Sequence, residues 1–346
     1  MDTQARTSAG RDLVLDFWRG VGVLMVIAHH FFFFHIAVGD GILRELAERA
    51  GPWGVRIFFI VSGYIITSLM LKEEARRGTL AIGAFYVRRV FRIIPAFAVY
   101  MAALGFVGAL GWFSVARGDL VNAALFACNT GLLCGWGSVH TWTLAIEMQF
   151  YLLWPLLFIF LPGGWRAPFL TALVAFLLVL SATGTLLARG WIDNAASVAC
   201  IALGALCAVS PGFFAWVKRY GLLSVAAAAA VVGVLYVAHQ FELARMLYRA
   251  LVPLGLLSVV FAAYAVPRFS EWSITNILSK VGLISYSLYL WQQLFFAPAE
   301  LYPSASLLAA TPLVFGIAFL SYWFVERPGQ AWGKALLQRR TLRAKV

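Results

Sequence analysis

Runs of about twenty apolar residues recur along the whole of this 346-residue chain, and a helix of about that length crosses the hydrocarbon core of a bilayer. In lipid the backbone polar groups must pair within the chain, so unbroken apolar runs of this length indicate helices rather than a barrel. Only 12% of the residues are charged, whereas soluble domains have about 25%. We therefore expect an all-α integral membrane protein.

The sequence predicts a bundle of about ten transmembrane helices in a single domain that covers residues 1–346. The core of this domain is 13–328, and a polar cytoplasmic tail, 329–346, follows it. The apolar segment from Asp119 to Cys134 is short and interrupted by polar residues, which predicts a re-entrant or short element after the third span. The predicted spans lie near residues 13–38, 52–71, 92–113, 141–161, 167–188, 194–210, 221–239, 247–266, 281–299 and 306–325.

The distribution of basic residues predicts the orientation, because Lys and Arg stay on the cytoplasmic side in short loops. With the N-terminus inside, nineteen of the 27 basic residues are cytoplasmic, seven are outside and Arg19 lies within a span. Both termini are therefore expected in the cytoplasm. This asymmetry and contact with anionic lipid account for the net charge of +12, so no nucleic-acid partner is expected.

The first span contains Arg19 and three histidines. A charged Arg at a helix centre costs about 2.5–3.5 kcal/mol on insertion scales, so such residues usually have a function. Arg19 and His30 are eleven residues apart, which places them on one helix face, roughly 16 Å apart along the axis. We expect His29 and His35 to make supporting hydrogen bonds. A metal site built from the three histidines is the weaker alternative.

A second polar group lies in "HTWTLAIEMQFYLLWP", where His140, Glu147 and Tyr151 fall on one helix face. A carboxylate two turns into a membrane span is costly unless it is paired or protonated. We expect Glu147 to be a functional carboxylate that faces a cavity; an ion pair with a packing role is the alternative. His140 either caps the span or meets a substrate.

Three arginines form a third group at the inner end of the third span. Arg92 comes three residues after Arg89 and four after Arg88, so the guanidinium groups form one cluster that can hold phosphates. Membrane anchoring by positive charge is the alternative.

The four cysteines constrain the function less. Cys200 and Cys207 are expected to be small packing residues in one span. Cys128 and Cys134 face the outer side in this topology, where the sequence leaves a disulfide open but favours the unpaired state.

Several segments together resemble one family, the membrane-bound acyltransferase family 3, whose members acylate sugars of surface polysaccharides, peptidoglycan, lipooligosaccharides and some antibiotics. The segments occur in family order over nearly the whole chain. The first carries the Arg-x10-His pattern at Arg19 and His30, and a later one the Arg-x-x-Arg pattern at Arg89 and Arg92. The segments are "LDFWRGVGVLMVIAHH", "GVRIFFIVSGYIITSLMLKE", "FYVRRVFRIIP", "HTWTLAIEMQFYLLWP", "ISYSLYLWQ" and "FVERP".

The chain departs from the family pattern at three positions. Phe17 replaces a glycine, with an effect expected on packing alone. Met148 replaces the second carboxylate of the usual Glu-Glu-Gln, so Glu147 acts without it. Gln292 stands where many members have His, so no catalytic role is expected there. The sequence has no esterase-like domain after Pro328, and we expect it to act alone or with a separate partner.

The resemblance implies transfer of an acyl group, most simply acetyl, from cytoplasmic acyl-CoA to a hydroxyl of a sugar-containing acceptor, at the bacterial inner membrane and without a metal. His30 is the expected general base, since a histidine in a dry bundle stays neutral; covalent acylation of His30 is the alternative. Glu147 is expected to orient the histidine and to stabilise the imidazolium, and Arg19 to contact the acyl donor. The CoA phosphates are expected to bind to Arg89, Arg92 and Arg88. The acceptor is expected to contact His140, Tyr151 and Trp142.

The main rival function is a proton-coupled transporter or flippase of a glycan or lipid-linked substrate, because buried His, Glu and Arg also form proton relays. It predicts substrate movement without acyl consumption.

Overall fold

The computed structural model describes residues 11–35, 42–112, 114–132, 134–184, 189–238, 241–296 and 307–343. Within these ranges the chain forms fourteen α-helices, joined by short turns of 3₁₀ and π-helix. They are α1 Leu13–His35, α2 Ile42–Arg77, α3 Ile82–Ala109, α4 Arg117–Ala124, α5 Trp136–Val139, α6 Thr141–Phe160, α7 Gly163–Ala182, α8 Arg189–Val209, α9 Pro211–Val237, α10 Glu242–Ala262, α11 Ser273–Leu283, α12 Ser285–Phe295, α13 Leu307–Ser321 and α14 Arg327–Arg343.

Seven helical segments of the described chain are long and apolar enough to cross a membrane. The expectation of an all-helical membrane protein is thereby confirmed, whereas the predicted number of ten membrane spans is not. The predicted span at 194–210 coincides with a shorter apolar helix, and α12 and α13 have only eleven and fifteen residues. The seven segments are Leu13–Phe32, Leu43–Arg77, Ile82–Ala109, Trp136–Phe160, Gly163–Ala182, Pro211–Val231 and Glu242–Ala265.

Two helices extend well beyond the apolar runs that predicted them. Helix α2 has 36 residues and begins ten residues before the predicted span. Its first turns carry ion pairs between residues four apart, Arg44 with Glu48 and Arg49 with Glu45, which support a helix outside an apolar environment. Helix α3 likewise starts ten residues early and so includes the arginine group.

The chain divides into two compact units. The first unit consists of Met1–Met25, Ala50–Arg76 and Leu152–Leu283, and the second of Val26–Arg49, Arg77–Tyr151 and Ile284–Val346. Helices α1, α2 and α6 therefore contribute residues to both units.

In the first unit two pairs of helices touch at glycines. A Cβ added to Gly63 of α2 would lie 1.9 Å from the carbonyl oxygen of Ile201, and one added to Gly204 of α8 would lie 2.0 Å from that of Ile60. The same reciprocal arrangement joins α1 and α11. Only glycine permits backbones to approach this closely, as at small-residue crossings in membrane helices.

The second unit is built around α3, which packs against both α12 and α14. The polar tail is therefore not a free extension: it forms α14, where Gly329 and Gly333 let the helix approach Phe91 and Pro95. The segment after the third span contains the short helix α4 and then a disulfide between Cys128 and Cys134, so the favoured unpaired state is corrected.

Candidate functional site

The second unit contains eight of the nine residues to which the sequence assigns a role. They are His30, Arg88, Arg89, Arg92, His140, Trp142, Glu147 and Tyr151. Arg19, the ninth, belongs to the first unit, where its guanidinium lies 3.9 Å from the carboxylate of Asp16. Asp16 also pairs with Arg11 at 2.7 Å, so this end of α1 holds two arginines on one carboxylate.

His30 is half-buried on α1 and is held by a residue of α12. Its Nδ1 lies 2.6 Å from Oε1 of Gln292. The Gln292 amide donates in turn to Oε1 of Gln293 at 3.1 Å, and the Gln293 amide donates to the backbone carbonyl of Trp136 at 3.0 Å. The indole of Trp136 donates back to the Gln293 carbonyl and packs edge-on against the His30 ring, with centroids 5.6 Å apart.

His29 has a different environment from its neighbour. Its Nδ1 lies 2.9 Å from the backbone carbonyl of Ala47, so the ring donates a hydrogen bond to the start of α2. This is the supporting contact expected from the sequence. The side chain of His35 lies outside the described residues.

His140 lies at the junction of α5 and α6, where the residue is only 4% exposed. The ring packs against Tyr100 and Tyr289, with centroids 5.4 and 5.5 Å away. The Tyr289 hydroxyl donates to the His140 backbone carbonyl at 3.0 Å, next to the first residue of α6. Within the described residues the His140 ring has no side-chain hydrogen-bond partner, and the backbone of Leu290 interacts with it. A buried imidazole in this state has unused hydrogen-bonding capacity for a bound molecule.

Glu147 and Tyr151 meet as their four-residue spacing on α6 predicts: the Tyr151 hydroxyl donates to a Glu147 carboxylate oxygen. The buried guanidinium of Arg89 lies 5.7 Å from the Tyr151 ring and also 5.7 Å from that of Phe85. The charge of Glu147 acts on Arg89 as well. The carboxylate therefore belongs to a cluster with Tyr151 and Arg89.

The arginine group is arranged unevenly on α3. Arg89 is buried, and its Nε has no hydrogen-bond partner among the described residues. Arg88 and Arg92 are half-buried, and the charges of both act on Arg89. Three like charges this close favour an anion between them. Trp142 is half-buried on α6.

The sequence reasoning assigned no role to Gln292, Gln293 and Trp136. A signal was present, since "WQQL" places two adjacent amides in an apolar helix, and buried amides require partners. Gln292 and His30 are 262 residues apart, and no local pattern connects them.

No group of three His, Cys, Asp or Glu side chains capable of holding a metal ion occurs in the part of the chain that the structure describes.

The loop before α5 is fastened to α6 by more than the disulfide. The side-chain amides of Asn129 and Gln149 exchange two hydrogen bonds, at 2.9 and 3.0 Å. Thr141, the first residue of α6, donates to Sγ of Cys128. The helix that carries Glu147 and Tyr151 is therefore anchored at its start.

Comparison with known proteins identifies relatives of the whole chain. The family model described as an acyltransferase domain matches residues 12–326. The peptidoglycan O-acetyltransferase OatA of Listeria monocytogenes is 26% identical over 366 residues, which cover 91% of this chain and 55% of that protein. A Staphylococcus aureus protein provisionally named an O-acetyltransferase is 29% identical over 158 residues, 42% of this chain and 24% of that protein. The matched part of the chain thus spans about half the length of the Listeria relative and about a quarter of the Staphylococcus relative. No solved structure gives a significant match.

Proposed function

The chain belongs to the acyltransferase family 3, and from this premise we propose that it transfers an acetyl group from cytoplasmic acetyl-CoA to a hydroxyl of a carbohydrate-containing acceptor. One observation carries the proposal: a single compact unit of this family member contains both the His30 imidazole and the Arg89 cluster with Glu147. A base and an anion-binding group are the two parts that such a transfer requires.

The donor is proposed to bind at the arginines. CoA carries phosphates, and guanidinium groups bind phosphates through forked hydrogen bonds. Arg89 supports this assignment, because its buried Nε–H is an unused donor and Arg88 and Arg92 place further positive charge beside it. Glu147 and Tyr151 orient the guanidinium from the other side.

The chemistry is proposed to run through His30. An imidazole nitrogen takes the proton of the acceptor hydroxyl while the hydroxyl oxygen attacks the thioester carbonyl carbon. The carbon–sulfur bond then breaks, the CoA thiolate leaves, and the imidazolium returns the proton to it. Glu147 bonds to Tyr151 and its charge acts on Arg89, so its proposed contribution passes through that cluster rather than through contact with His30. A covalent acyl-His30 intermediate is the alternative route to the same products.

The acceptor is proposed to meet α6 and its junction with α5. The buried His140 ring has aromatic neighbours and no side-chain hydrogen-bond partner among the described residues, a combination suited to a sugar hydroxyl or the thioester carbonyl. Tyr151 and Trp142 are the further proposed contacts. The name of the Listeria relative suggests a cell-wall glycan as acceptor class.

We further propose that the single domain crosses the bacterial inner membrane ten times, with the shorter helices α8, α12 and α13 completing the count and both termini in the cytoplasm. The excess of basic residues on that side supports this topology.

The test uses the protein in nanodiscs with acetyl-CoA labelled in its acetyl group and a pool of cell-envelope glycans. The expected result is equal release of free CoA and gain of label by the glycan fraction. Absence of both with every donor and acceptor offered would exclude the transfer. Movement of a glycan across sealed vesicles without consumption of acetyl-CoA would instead support the transporter.

A further inference from the structure

We propose that Gln292 is a positioning residue that selects one tautomer of His30, with the proton on Nδ1 and the lone pair on Nε2. The inference deepens the proposed function, on which the catalytic consequence rests. The tautomer itself follows from hydrogen bonds alone.

The deduction begins at a group whose polarity is fixed. The backbone carbonyl of Trp136 can only accept, so the side-chain group of Gln293 that lies 3.0 Å from it is the NH₂. The carbonyl oxygen of that amide then faces Gln292 and accepts from its NH₂ at 3.1 Å. The remaining carbonyl oxygen of Gln292 lies 2.6 Å from Nδ1 of His30. A carbonyl oxygen accepts, so Nδ1 must donate and carries the proton.

The surroundings keep this chain of amides, here called the amide relay, from reversing. Gln292 and Gln293 are 0% and 1% exposed, so water does not replace a lost partner. Rotating either amide by 180° would place two NH₂ groups or two carbonyl oxygens against each other. The Trp136 indole fixes the far end, since it donates to the main-chain carbonyl of Gln293 at 3.0 Å.

The relay decides which nitrogen can act as the base. In a neutral imidazole with a protonated Nδ1, Nε2 is the nitrogen that can take the acceptor proton. An orienting partner is a familiar requirement of a catalytic histidine, although that partner is usually a carboxylate. The titratable neighbours of His30 are His29, with ring centroids 5.3 Å apart, and His140, which interacts with it electrostatically. Neither bonds to Nδ1 in place of Gln292.

The kinetic test compares Gln292→Leu with Gln292→His. Leucine removes the acceptor, and we expect kcat to fall about 10- to 100-fold while KM for acetyl-CoA stays unchanged. A neutral histidine has one acceptor and one donor nitrogen, the same polarity as the amide, so Gln292→His is expected to keep most of kcat. The control is Gln330→Leu, a second amide of this unit, which bonds to Glu326 and should leave kcat unchanged.

The second test reads the tautomer without any turnover. Protein labelled with ¹⁵N-histidine is studied in bilayers by solid-state NMR, and the His30 signals are assigned by their loss in His30→Asn. Wild type should show a protonated Nδ1 and an unprotonated Nε2, and Gln292→Leu should shift the population toward the other tautomer. A protonated Nε2 in the neutral wild type, or an unchanged tautomer and kcat in Gln292→Leu, would overturn the inference. A wild type that consumes no acetyl-CoA but shows the expected tautomer would refute the proposed function alone.

Discussion

The Nδ1 atom of His30 lies 2.6 Å from Oε1 of Gln292, across 262 residues of sequence. The contact joins the first membrane helix to α12 within one compact unit. It distinguishes His30 from His29, whose ring bonds to the backbone at Ala47. Two adjacent histidines therefore have different expected contributions to activity.

Replacing His30 by alanine is expected to lower acetyl transfer by a factor of about 10² to 10⁴, the usual contribution of a general base. His29→Ala should retain most of the activity, because it removes one hydrogen bond to the start of α2. Release of free CoA from both variants in nanodiscs measures the difference. Equal losses in the two variants would show that the role of base is assigned to the wrong residue.

Much of this site follows from short-range patterns in the sequence. The pairing of Glu147 with Tyr151 follows from a spacing of four on a helix. The seven long helices follow from apolar length. In each case the prediction needs only the spacing or length of residues within one helix.

The other features of the site depend on contacts between distant segments, which the spacing of residues within one helix does not predict. The partner of His30 is on a helix near the other end of the chain, and its identity, Gln292, departs from the family pattern. The break at Ile284 between α11 and α12 interrupts an apolar run that reads as one span. Whether Cys128 and Cys134 can pair depends on how the loop between them folds, and the residue types of the loop do not determine that.

Arg89 is expected to control donor affinity. In Arg89→Gln, KM for acetyl-CoA should rise tenfold or more, because a phosphate loses a charge-assisted hydrogen bond. The increase in Tm that acetyl-CoA gives the wild type should also disappear. Arg89→Lys should recover only part of the affinity, since lysine has no forked donor. Arg76→Gln, at an exposed position of α2, is the control, and an equal rise in its KM would indicate a nonspecific effect of charge.

Tyr151 and Glu147 are expected to act as one unit. Tyr151→Phe removes the hydroxyl that donates to the carboxylate and should lower kcat/KM about tenfold. Glu147→Gln should lower it at least as much, and the double variant should be little worse than Glu147→Gln. A double-mutant cycle on kcat/KM tests this coupling, and strict additivity of the two losses would contradict it.

The reciprocal glycines are expected to determine stability. Gly204→Ala places a Cβ about 2.0 Å from the Ile60 carbonyl oxygen, so α2 and α8 must separate, at a cost of about 1–3 kcal/mol. Gly233→Ala is the matched control on α9, where an added Cβ meets no atom within 4 Å. Thermal unfolding in detergent should show a lower Tm for the first variant and an unchanged or higher Tm for the second. A similar Tm for both would contradict the close crossing.

The disulfide predicts how many cysteines an alkylating reagent can modify. After denaturation without reductant, alkylation should modify the two cysteines of α8, Cys200 and Cys207, and after reduction it should modify four. Closing this short loop is expected to contribute about 2 kcal/mol, so reductant should lower Tm by a few degrees. The variant with serine at positions 128 and 134 should not respond to reductant. Four modified cysteines without reductant would refute the pairing.

The amide relay has a further consequence for how this chain enters a membrane. Gln292, Gln293 and Trp136 have no side-chain charge at any physiological pH. An aspartate in the place of Gln292 would add about 2.5–3.5 kcal/mol to the insertion of its helix at the bilayer centre, whereas an amide holds the same hydrogen bond without an ionic hydration shell to remove. In the proposed ten-span topology, the histidine is thus oriented at a low cost of translocon insertion, and α12, which has only eleven residues, does not have to carry an anion into lipid.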